Sequence, residues 1–253
     1  MKVTFLGTGT SQGVPVIACG CEVCTSADKR DKRLRSSILI EADDKTVAID
    51  SGPDFRYQML RANVQHLDAI VYTHEHKDHV AGMDDVRAFN FKQQEPMNIY
   101  ADPRVQAALM REFPYVFAEN KYPGIPQVDM HAIGEEGFHI GSIHFTPIEV
   151  MHYKLPVLGF RINDFTYITD AKTVSDEEKE KIKGSKILVI NALQKQTHIS
   201  HFTLDEAIAF AREMGAETTY FTHISHRLGK HADVTAELPP GIELAYDGLT
   251  VNI

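Results

Sequence analysis

The sequence of 253 residues predicts an α/β fold in which mixed β-sheets carry helices on their outer faces. Short runs rich in Val, Ile, Thr and aromatic residues recur along the chain, and Gly, Asp, Asn or Pro bound them. Segments with helix start and stop signals lie between these runs. The second half repeats the order of the strand-heavy first half without a low-complexity linker. We therefore expect one domain over residues 1–253.

The predicted strands are distributed over the whole chain. The stretches "DDKT" and "NDF" separate neighbouring runs and look like hairpin turns. Strands are expected at residues 2–6, 36–42, 46–50, 67–73, 97–101, 143–150, 158–162, 165–169, 186–190, 218–222, 242–246 and 249–253.

Three helices have recognisable ends. Residues 175–184 begin with Ser, have Glu three positions later in the spacing of a capping box, and end in Gly. Residues 203–215 repeat these signals with Thr, Glu and Gly. Residues 53–64 begin with Pro, which suits the first turn of a helix. The stretch 80–89 is also helix-like.

Residues 112–130 stand apart from this pattern. They contain three Pro and four aromatic residues without a clear period. One interpretation is a surface loop that closes a hydrophobic patch. The other is a lid over a pocket, because long irregular loops in compact domains often have a function.

The charge balance limits the partners of the chain. The formal net charge is -9, whereas contacts with nucleic-acid phosphates require clustered Lys and Arg. We therefore expect no stable complex with nucleic acid. No apolar stretch approaches the length of a membrane span, and the N-terminus indicates a first strand rather than a signal peptide. These observations favour a cytoplasmic protein without a membrane partner.

A dense group of metal-ligand residues follows the predicted strand 67–73. His74, His76, Asp78 and His79 lie within six residues. His74 and His76 alternate, so in an extended segment they point the same way. Asp78 and His79 come where the chain turns into a helix-like stretch. This geometry favours one loop that supplies ligands to two adjacent metal ions over a solvated loop with accidental histidines.

The motif resembles the pattern of the metallo-β-lactamase superfamily of dinuclear hydrolases. That pattern is His-x-His-x-Asp-His after a strand, followed by a distal His, an Asp and a final His. Here His152, Asp170 and His223 follow in order, each at the end of a predicted strand. The resemblance spans nearly the whole chain. It implies a four-layer αββα sandwich of two mixed β-sheets, with the metals at one edge of the sheets.

The resemblance also implies a set of metal ligands in which Asp170 bridges two ions. The ligands of the first ion would be His74, His76, His152 and Asp170. The ligands of the second ion would be Asp78, His79, Asp170 and His223. In addition, Asp50 matches an acid of the superfamily that holds a ligand loop or orients a ligand histidine.

The charge of such a site indicates an anionic substrate. Two divalent ions bring four positive charges, and the two carboxylates and a bridging hydroxide return only three. A positive site attracts an anion and neutralises phosphoryl oxygens, and two metals about 3.5–4 Å apart also lower the pKa of a bridging water. Nitrogen and oxygen ligands are compatible with Zn, Mn or Fe.

A second metal site is predicted from the three cysteines. Cys19, Cys21 and Cys24 lie close together, and an odd, clustered set of cysteines is a poor disulfide framework. By themselves they could be three unmodified thiols. His226, three residues after His223, would complete a closed, tetrahedral Cys3His site for a structural zinc.

The cysteine run and "THISH" together resemble the phosphoribosyl cyclic phosphate phosphodiesterases. This resemblance implies a structural zinc at these positions and an active-site pair of divalent ions, Mn or Zn, with manganese favoured. It also implies hydrolysis of small cyclic or ribosyl phosphodiesters through a metal-bridging hydroxide. A homodimer is a further implication.

Two more histidines are catalytic candidates, together with Asp78. The subgroup has a histidine at the position of His201 that assists the substrate or the leaving group. A departing alkoxide needs a proton, and an imidazole with a pKa near 6.5 can supply it. His198 precedes the same capped helix. For both residues the alternative is a histidine in a solvated turn.

Other functions were weighed against the phosphodiesterase. A tRNA 3′-end-processing endonuclease would need a flexible tRNA-binding arm and a basic face, and neither is evident. A thioesterase of the glyoxalase type would add a C-terminal helical domain, and β-lactamases of this fold need export. A lactone hydrolase stays open. A non-catalytic binding module would usually have lost ligands, and here all seven are present.

Overall fold

Two seven-stranded β-sheets form the centre of the structure, a computed structural model that describes residues 1–120 and 122–253. The first sheet contains β1 (Lys2–Gly7), β2 (Ser37–Ala42), β3 (Lys45–Ile49), β4 (Ala69–Val71), β5 (Met97–Ala101), β6 (Val128–Ala132) and β14 (Thr250–Asn252). Its spatial order is β14-β1-β2-β3-β4-β5-β6. Pairing is antiparallel from β14 to β3 and parallel from β3 to β6.

The second sheet has a similar mixed design. Its strands are β7 (Phe138–Ile140), β8 (Ile143–His152), β9 (Leu155–Ile162), β10 (Phe165–Tyr167), β11 (Ile187–Asn191), β12 (Thr218–Thr222) and β13 (Ile242–Leu244). The order is β13-β12-β11-β10-β9-β8-β7. The strands β7 to β10 pair antiparallel, and β10 to β13 pair parallel.

Eight α-helices lie in the described part of the chain. They are α1 (Phe55–Arg61), α2 (Lys77–Val80), α3 (Arg87–Gln93), α4 (Pro103–Glu112), α5 (Pro114–Phe117), α6 (Asp176–Ile182), α7 (Leu204–Met214) and α8 (His231–Glu237). Short 3-10 helices occupy Lys29–Asp31 and Met83–Val86. None of the helices in the described residues is long and apolar enough to cross a membrane.

The alternation of side chains along the strands creates three hydrophobic layers. In β2, Ile38 and Ile40 belong to a central cluster between the two sheets, whereas Leu39 belongs to a cluster beneath α1, α3 and α4. In β11, Val189 faces the centre, and its neighbours face α6, α7 and α8. Because successive strand side chains point to opposite faces, each sheet packs on its partner and on helices. The prediction of a four-layer αββα sandwich is confirmed.

The predicted helix caps are present in the structure. Thr203 accepts a hydrogen bond from the backbone N–H of Glu206, and the Glu206 side chain accepts one from the N–H of Thr203. Ser175 likewise accepts from the N–H of Glu178 at the start of α6. Gly215 ends α7 with φ +68°, a conformation that glycine adopts at little cost. Local sequence therefore fixes where α6 and α7 begin.

Some elements differ from the sequence-based expectation. The stretch 80–89 is not one helix, because α2, a 3-10 turn and α3 succeed one another there. Residues 112–130 are more regular than expected, since they contain α5 and the start of β6. Lys121, inside that segment, lies outside the described residues, and the lid function stays a prediction.

Candidate metal centres

The ends of five strands place the predicted ligands at one edge of the sandwich. Asp50 follows β3, His74 follows β4, Asp170 follows β10, His223 follows β12, and His152 is the last residue of β8. The remaining residues of the motif come from the start of α2 and from His76, which precedes it. A single edge therefore collects side chains that are far apart in sequence.

Asp170 lies in the middle of this His/Asp centre. Its Oδ2 is 3.3 Å from Nε2 of His79, and its Oδ1 is 3.2 Å from Nε2 of His223. Asp78 Oδ2 lies 3.2 Å from the same nitrogen of His79. His152 and His201 form a further group with Asp170, in which the potential ligand atoms lie within 4.8 Å of one another. Asp170 belongs to a second group of this kind with His74 and His79, whereas His76 belongs to neither group.

Hydrogen bonds outside the cluster fix the orientation of two ligand candidates. Nδ1 of His79 donates to Oδ2 of Asp50 at 2.7 Å, which turns Nε2 towards Asp170. Both oxygens of Asp50 also accept hydrogen bonds from Thr73. Nδ1 of His152 donates to the carbonyl oxygen of Ser200 at 2.9 Å, so Nε2 is the free nitrogen of that ring. Partners of this kind set the tautomer of a metal-binding histidine.

Unpartnered nitrogen atoms at the cluster fit a bound cation. Among the described residues, the buried nitrogens Nε2 of His74 and Nδ1 of His201 have no hydrogen-bond partner, and Nε2 of His79 approaches two carboxylates without a well-aligned hydrogen bond. Buried polar atoms are rarely left without one. Imidazole nitrogens and carboxylates are ligands of Zn and Mn, so the donor set fits the divalent ions that the fold implies.

The pKa shifts favour protonation states that suit metal binding for most of these residues. Burial lowers the pKa of His74 and of His223. Burial alone would raise the pKa of Asp170, but nearby imidazoles, His223 first, outweigh it and lower the pKa well below its usual value. His79 differs, because adjacent carboxylates overcome burial and raise its pKa. A cation that binds there has to displace that proton.

Three residues of the centre have an unusual backbone conformation. Asp50, Asp170 and His223 have φ angles of 65°, 56° and 54°. The left-handed region is uncommon for residues other than glycine, and such conformations concentrate at functional sites. Each occurs where a strand ends, so the turn of the backbone aims the side chain along the edge of the sandwich.

The predicted Cys/His centre is also assembled. The Sγ atoms of Cys19, Cys21 and Cys24 lie 3.3, 3.4 and 3.5 Å from Nδ1 of His226. Zinc ligands at about 2.0–2.3 Å from a tetrahedral ion are separated by roughly 3.5 Å, so the spacing fits one zinc ion. The backbone N–H of Cys24 and then His226 lower the pKa of Cys21 to about 6, which favours the thiolate that binds metal.

The two centres are joined through the segment after β1. Thr8 and Thr10 make backbone hydrogen bonds to Ile224, one residue after His223. The hydroxyl of Thr10 lies 3.1 Å from Nε2 of His223. His226 is two residues further along the same segment. The Cys/His centre therefore anchors the loop that carries a ligand candidate of the other centre.

The three remaining site candidates, His201, His198 and His76, differ in their burial and in their contacts with the centre. His201 is buried, with Nδ1 3.8 Å from Oδ1 of Asp170, and burial lowers its pKa to about 2. The ring of His198 lies behind that of His201, at 5.1 Å between centroids. His76 is exposed at the outer side, with its ring 5.1 Å from that of His152. Their roles stay predictions.

Sequence reasoning missed several supporting residues. Thr10, Thr73 and Ser200 contact the ligand candidates His223, His74 and His152 through a hydroxyl or a backbone carbonyl. Threonines and serines in loops carry no distinctive pattern, and backbone contacts are independent of the side chain. For Thr73 alone a signal was present, because it directly precedes His74.

Comparisons with a family model and with curated proteins identify the family of this chain. Residues 45–224 match the beta-lactamase superfamily domain. An octanoyltransferase of Porphyromonas gingivalis is 38% identical over 100% of this chain and 52% of its own length. A coenzyme PQQ synthesis protein B of Methylorubrum extorquens is 30% identical over 43% of this chain and 40% of its own length. The chain thus spans about half the length of the first of these relatives.

Solved structures agree with this assignment. A diphosphatase from the PhnP family is 40% identical, with a TM-score of 0.93 and coverage of 100% of this chain and 97% of that one. Zn-bound PqqB from Methylobacterium extorquens is 21% identical, with a TM-score of 0.79 over 100% of both chains. Human tRNase Z, short form, is 18% identical, with a TM-score of 0.73 over 100% of this chain and 99% of the other, so it shares the fold. The chain belongs to the metallo-β-lactamase superfamily, and it resembles the PhnP subgroup of that superfamily.

Proposed function

We propose that the chain is a dinuclear-metal phosphodiesterase that hydrolyses small cyclic or ribosyl phosphodiesters. The observation that carries the proposal is the convergence of two donor sets on Asp170, with buried imidazole nitrogens that lack another partner. The 40% identical structure is named a diphosphatase, which supports a phosphate-containing substrate.

The cofactors of this proposal are two divalent ions, Mn or Zn, in the His/Asp centre and one structural Zn in the Cys/His centre. The residues that would hold the pair are His74, His76, Asp78, His79, His152, Asp170 and His223. When bound, such a pair supplies an activated water and neutralises charge on phosphoryl oxygens.

The residues around the centre keep the ligands in place before the substrate arrives. Asp50 holds His79, and the carbonyl of Ser200 holds His152, so neither ring has to reorient. Asp50 is itself fixed by two hydrogen bonds from Thr73. Ligands that are oriented in advance need no rearrangement during the reaction, which is a large part of electrostatic catalysis.

His201 is proposed to assist the leaving oxygen. Because burial lowers its pKa to about 2, the imidazole is neutral at pH 7 and carries one N–H. That N–H would donate a hydrogen bond to the departing oxygen and stabilise the negative charge that develops there, while water protonates the released alkoxide. The low pKa argues against the protonated imidazole that the sequence led us to expect as proton donor. The ring of His198 lies next to that of His201 and would support it, and Asp78 would serve as both ligand and catalytic carboxylate.

The proposed partner is a small anionic phosphodiester. A formal net charge of -9 disfavours a stable complex with nucleic acid, whereas a small anion can reach the locally positive centre. A homodimer, a cytoplasmic location and the absence of a membrane partner complete the proposal.

Hydrolysis of bis-p-nitrophenyl phosphate tests the function. The protein is stripped of loosely bound metal, and Mn or Zn is added back, with a thioester and a β-lactam assayed in parallel. Metal-dependent cleavage of the diester that disappears in His76→Ala supports the proposal. Turnover of the thioester or the β-lactam without cleavage of the diester would overturn it.

A further inference from the structure

An open depression of about 420 Å³ borders the His/Asp centre. His76 and His152, two of the proposed metal ligands, form part of its wall. The rest comes mainly from the turn between β8 and β9, with Tyr153 and Lys154, and from Ile199 in the loop before α7. The part of a substrate that extends beyond the scissile phosphate would lie in this depression.

Tyr153 occupies a position that disfavours an aromatic residue. His152 pairs with Leu155, so Tyr153 and Lys154 form a two-residue hairpin turn. The φ angle of Tyr153 is 58°, in the region where such turns prefer Gly, Asn or Asp. Its side chain stays 53% exposed, so little core packing compensates for the strained backbone. An outlier of this kind beside a reactive centre points to a use of the ring.

Ile199 and Lys154 add an apolar and a cationic group to the same depression. Ile199 is 66% exposed, although it is a large aliphatic residue. It directly precedes Ser200, whose carbonyl holds His152. Tyr153 directly follows His152 in the chain, and Ile199 directly precedes the residue that holds His152, so both exposed side chains lie beside this ligand candidate. Nζ of Lys154 lies 5.3 Å from the centroid of the Tyr153 ring, which places a positive charge next to that ring.

We propose that Tyr153 and Ile199 bind a planar ring next to the scissile phosphodiester, so that the preferred substrates are nucleoside phosphodiesters rather than ribose phosphates that lack a base. This inference rests on the proposed phosphodiesterase function and names its substrate class. An exposed tyrosine ring offers a stacking face to any base. The ammonium group of Lys154 complements the negative charge of such a substrate.

Two diesters with the same leaving group test the ring contact by kinetics. Bis-p-nitrophenyl phosphate and methyl p-nitrophenyl phosphate differ in whether the retained group is aromatic. We expect Tyr153→Ala to lower the ratio of their kcat/KM values by about fivefold or more, as a lost stacking contact should. Tyr153→Phe, which keeps the ring, should preserve the ratio. Tyr57→Ala, an exposed tyrosine on α1, is the matched control.

The same ratio of kcat/KM values shows which result would contradict the inference. A ratio in Tyr153→Ala that stays within about twofold of the wild-type value would overturn it, while metal-dependent cleavage of both diesters would leave the phosphodiesterase intact. An equal fall in Tyr153→Phe would likewise contradict recognition by the face of the ring. Metal content is measured for each variant, and it should not change.

Ligand binding tests recognition of the base without any hydrolysis. AMP and ribose 5-phosphate share the sugar and the phosphate and differ in the base. By calorimetry on the metal-loaded protein, we expect AMP to bind about fivefold or more tightly, and Tyr153→Ala to remove the difference. Equal binding of both compounds by the wild type would overturn the inference. Tyr153→Gly should also lose the preference, yet keep or raise the thermal midpoint, because glycine relieves the strained turn.

Discussion

The Cys/His centre and the His/Asp centre share the segment that contains His223 and His226, but they are built differently. In the first, three thiols surround one nitrogen of His226 at 3.3 to 3.5 Å, and the thiols come from one short loop. In the second, donors from the ends of β4, β8 and β12 and from α2 surround Asp170, and buried nitrogens remain without partners. An open depression adjoins the second of these clusters.

This difference separates a structural role from a catalytic one. Four donors around one point complete a tetrahedral zinc and leave no position for a substrate. A larger donor set beside an open depression leaves room for water and substrate. We infer that the Cys/His centre holds the segment of His223 in place, and that the His/Asp centre performs the reaction.

The largest loss of activity is expected when Asp170, the carboxylate proposed to bridge the two ions, is replaced. Asp170→Asn should lower kcat on bis-p-nitrophenyl phosphate by more than about 100-fold, because even residues that only orient metal ligands cost about 10–100-fold. The variant should lose metal from the His/Asp centre and keep zinc in the Cys/His centre, as measured by elemental analysis. Loss of both metals together would contradict the division between the centres.

A smaller effect is expected from the carboxylate that orients His79. Asp50→Asn presents an N–H group to Nδ1 of His79 in place of the accepting oxygen, so affinity for an active-site metal should fall by about 10–100-fold. Metal titration against activity measures this change. Asp68→Asn is the matched control, since Asp68 also accepts from a backbone N–H but lies outside the centre. Similar losses in both variants would refute the orienting role.

Removal of one thiol should affect stability more than chemistry. Cys24→Ser is expected to release the structural zinc and lower the thermal midpoint by several degrees, since about 1 kcal/mol corresponds to about 2–4 °C in a chain of this size. At low temperature kcat should fall by less than about tenfold, because Thr8 and Thr10 still hold the loop of His223. Thr25→Ala serves as control. A loss of kcat as large as that of Asp170→Asn would show that the Cys/His centre takes part in the reaction.

The smallest effect concerns the pH dependence of stability at the buried His231. Burial and the charge of Arg33 lower the pKa of His231 from 6.5 to about 4, and Nδ1 of His231 accepts from Arg33. The unfolded chain therefore binds more protons between these values, so the contribution of His231 is complete above about pH 6.5 and is lost as the pH falls towards about 4. His231→Gln keeps an acceptor without titrating. Its urea midpoint should fall less between pH 7 and 5 than that of the wild type.

Equal pH dependence in the wild type and in His231→Gln would contradict this assignment. His144→Gln, at an exposed histidine on β8, controls for the removal of an imidazole. The comparison uses differences between variants, because metal release at low pH affects all of them alike.

The sequence predicted the centre of the fold better than its edges. Buried strands such as β2, β3 and β11 have continuous apolar runs, and their positions were predicted. The strands β6 and β7 were missed, and each lies at an edge of its sheet. Edge strands are often short and polar, as the half-exposed "VDMHA" and "FHI" show, so their pattern is weak.

The candidate site was predictable where its residues form a local motif or follow a strand. His74, His76, Asp78 and His79 have a fixed spacing, and Asp170 and His223 end predicted strands. The contacts of Thr10 with His223 and of Ser200 with His152 join distant parts of the chain, and no local pattern announces them. Tyr153 was not predicted either, because its relevance comes from a strained turn that only the structure reveals.

The most direct test of the two-centre account is the number of metal ions per chain during graded chelation. The protein is dialysed against increasing EDTA, and bound metal and hydrolysis of bis-p-nitrophenyl phosphate are measured on the same samples. The account predicts that two ions leave first, together with the activity, while one zinc remains, and that two equivalents of Mn restore turnover. Loss of the last zinc before the activity declines, or full activity with a single ion in the His/Asp centre, would contradict it.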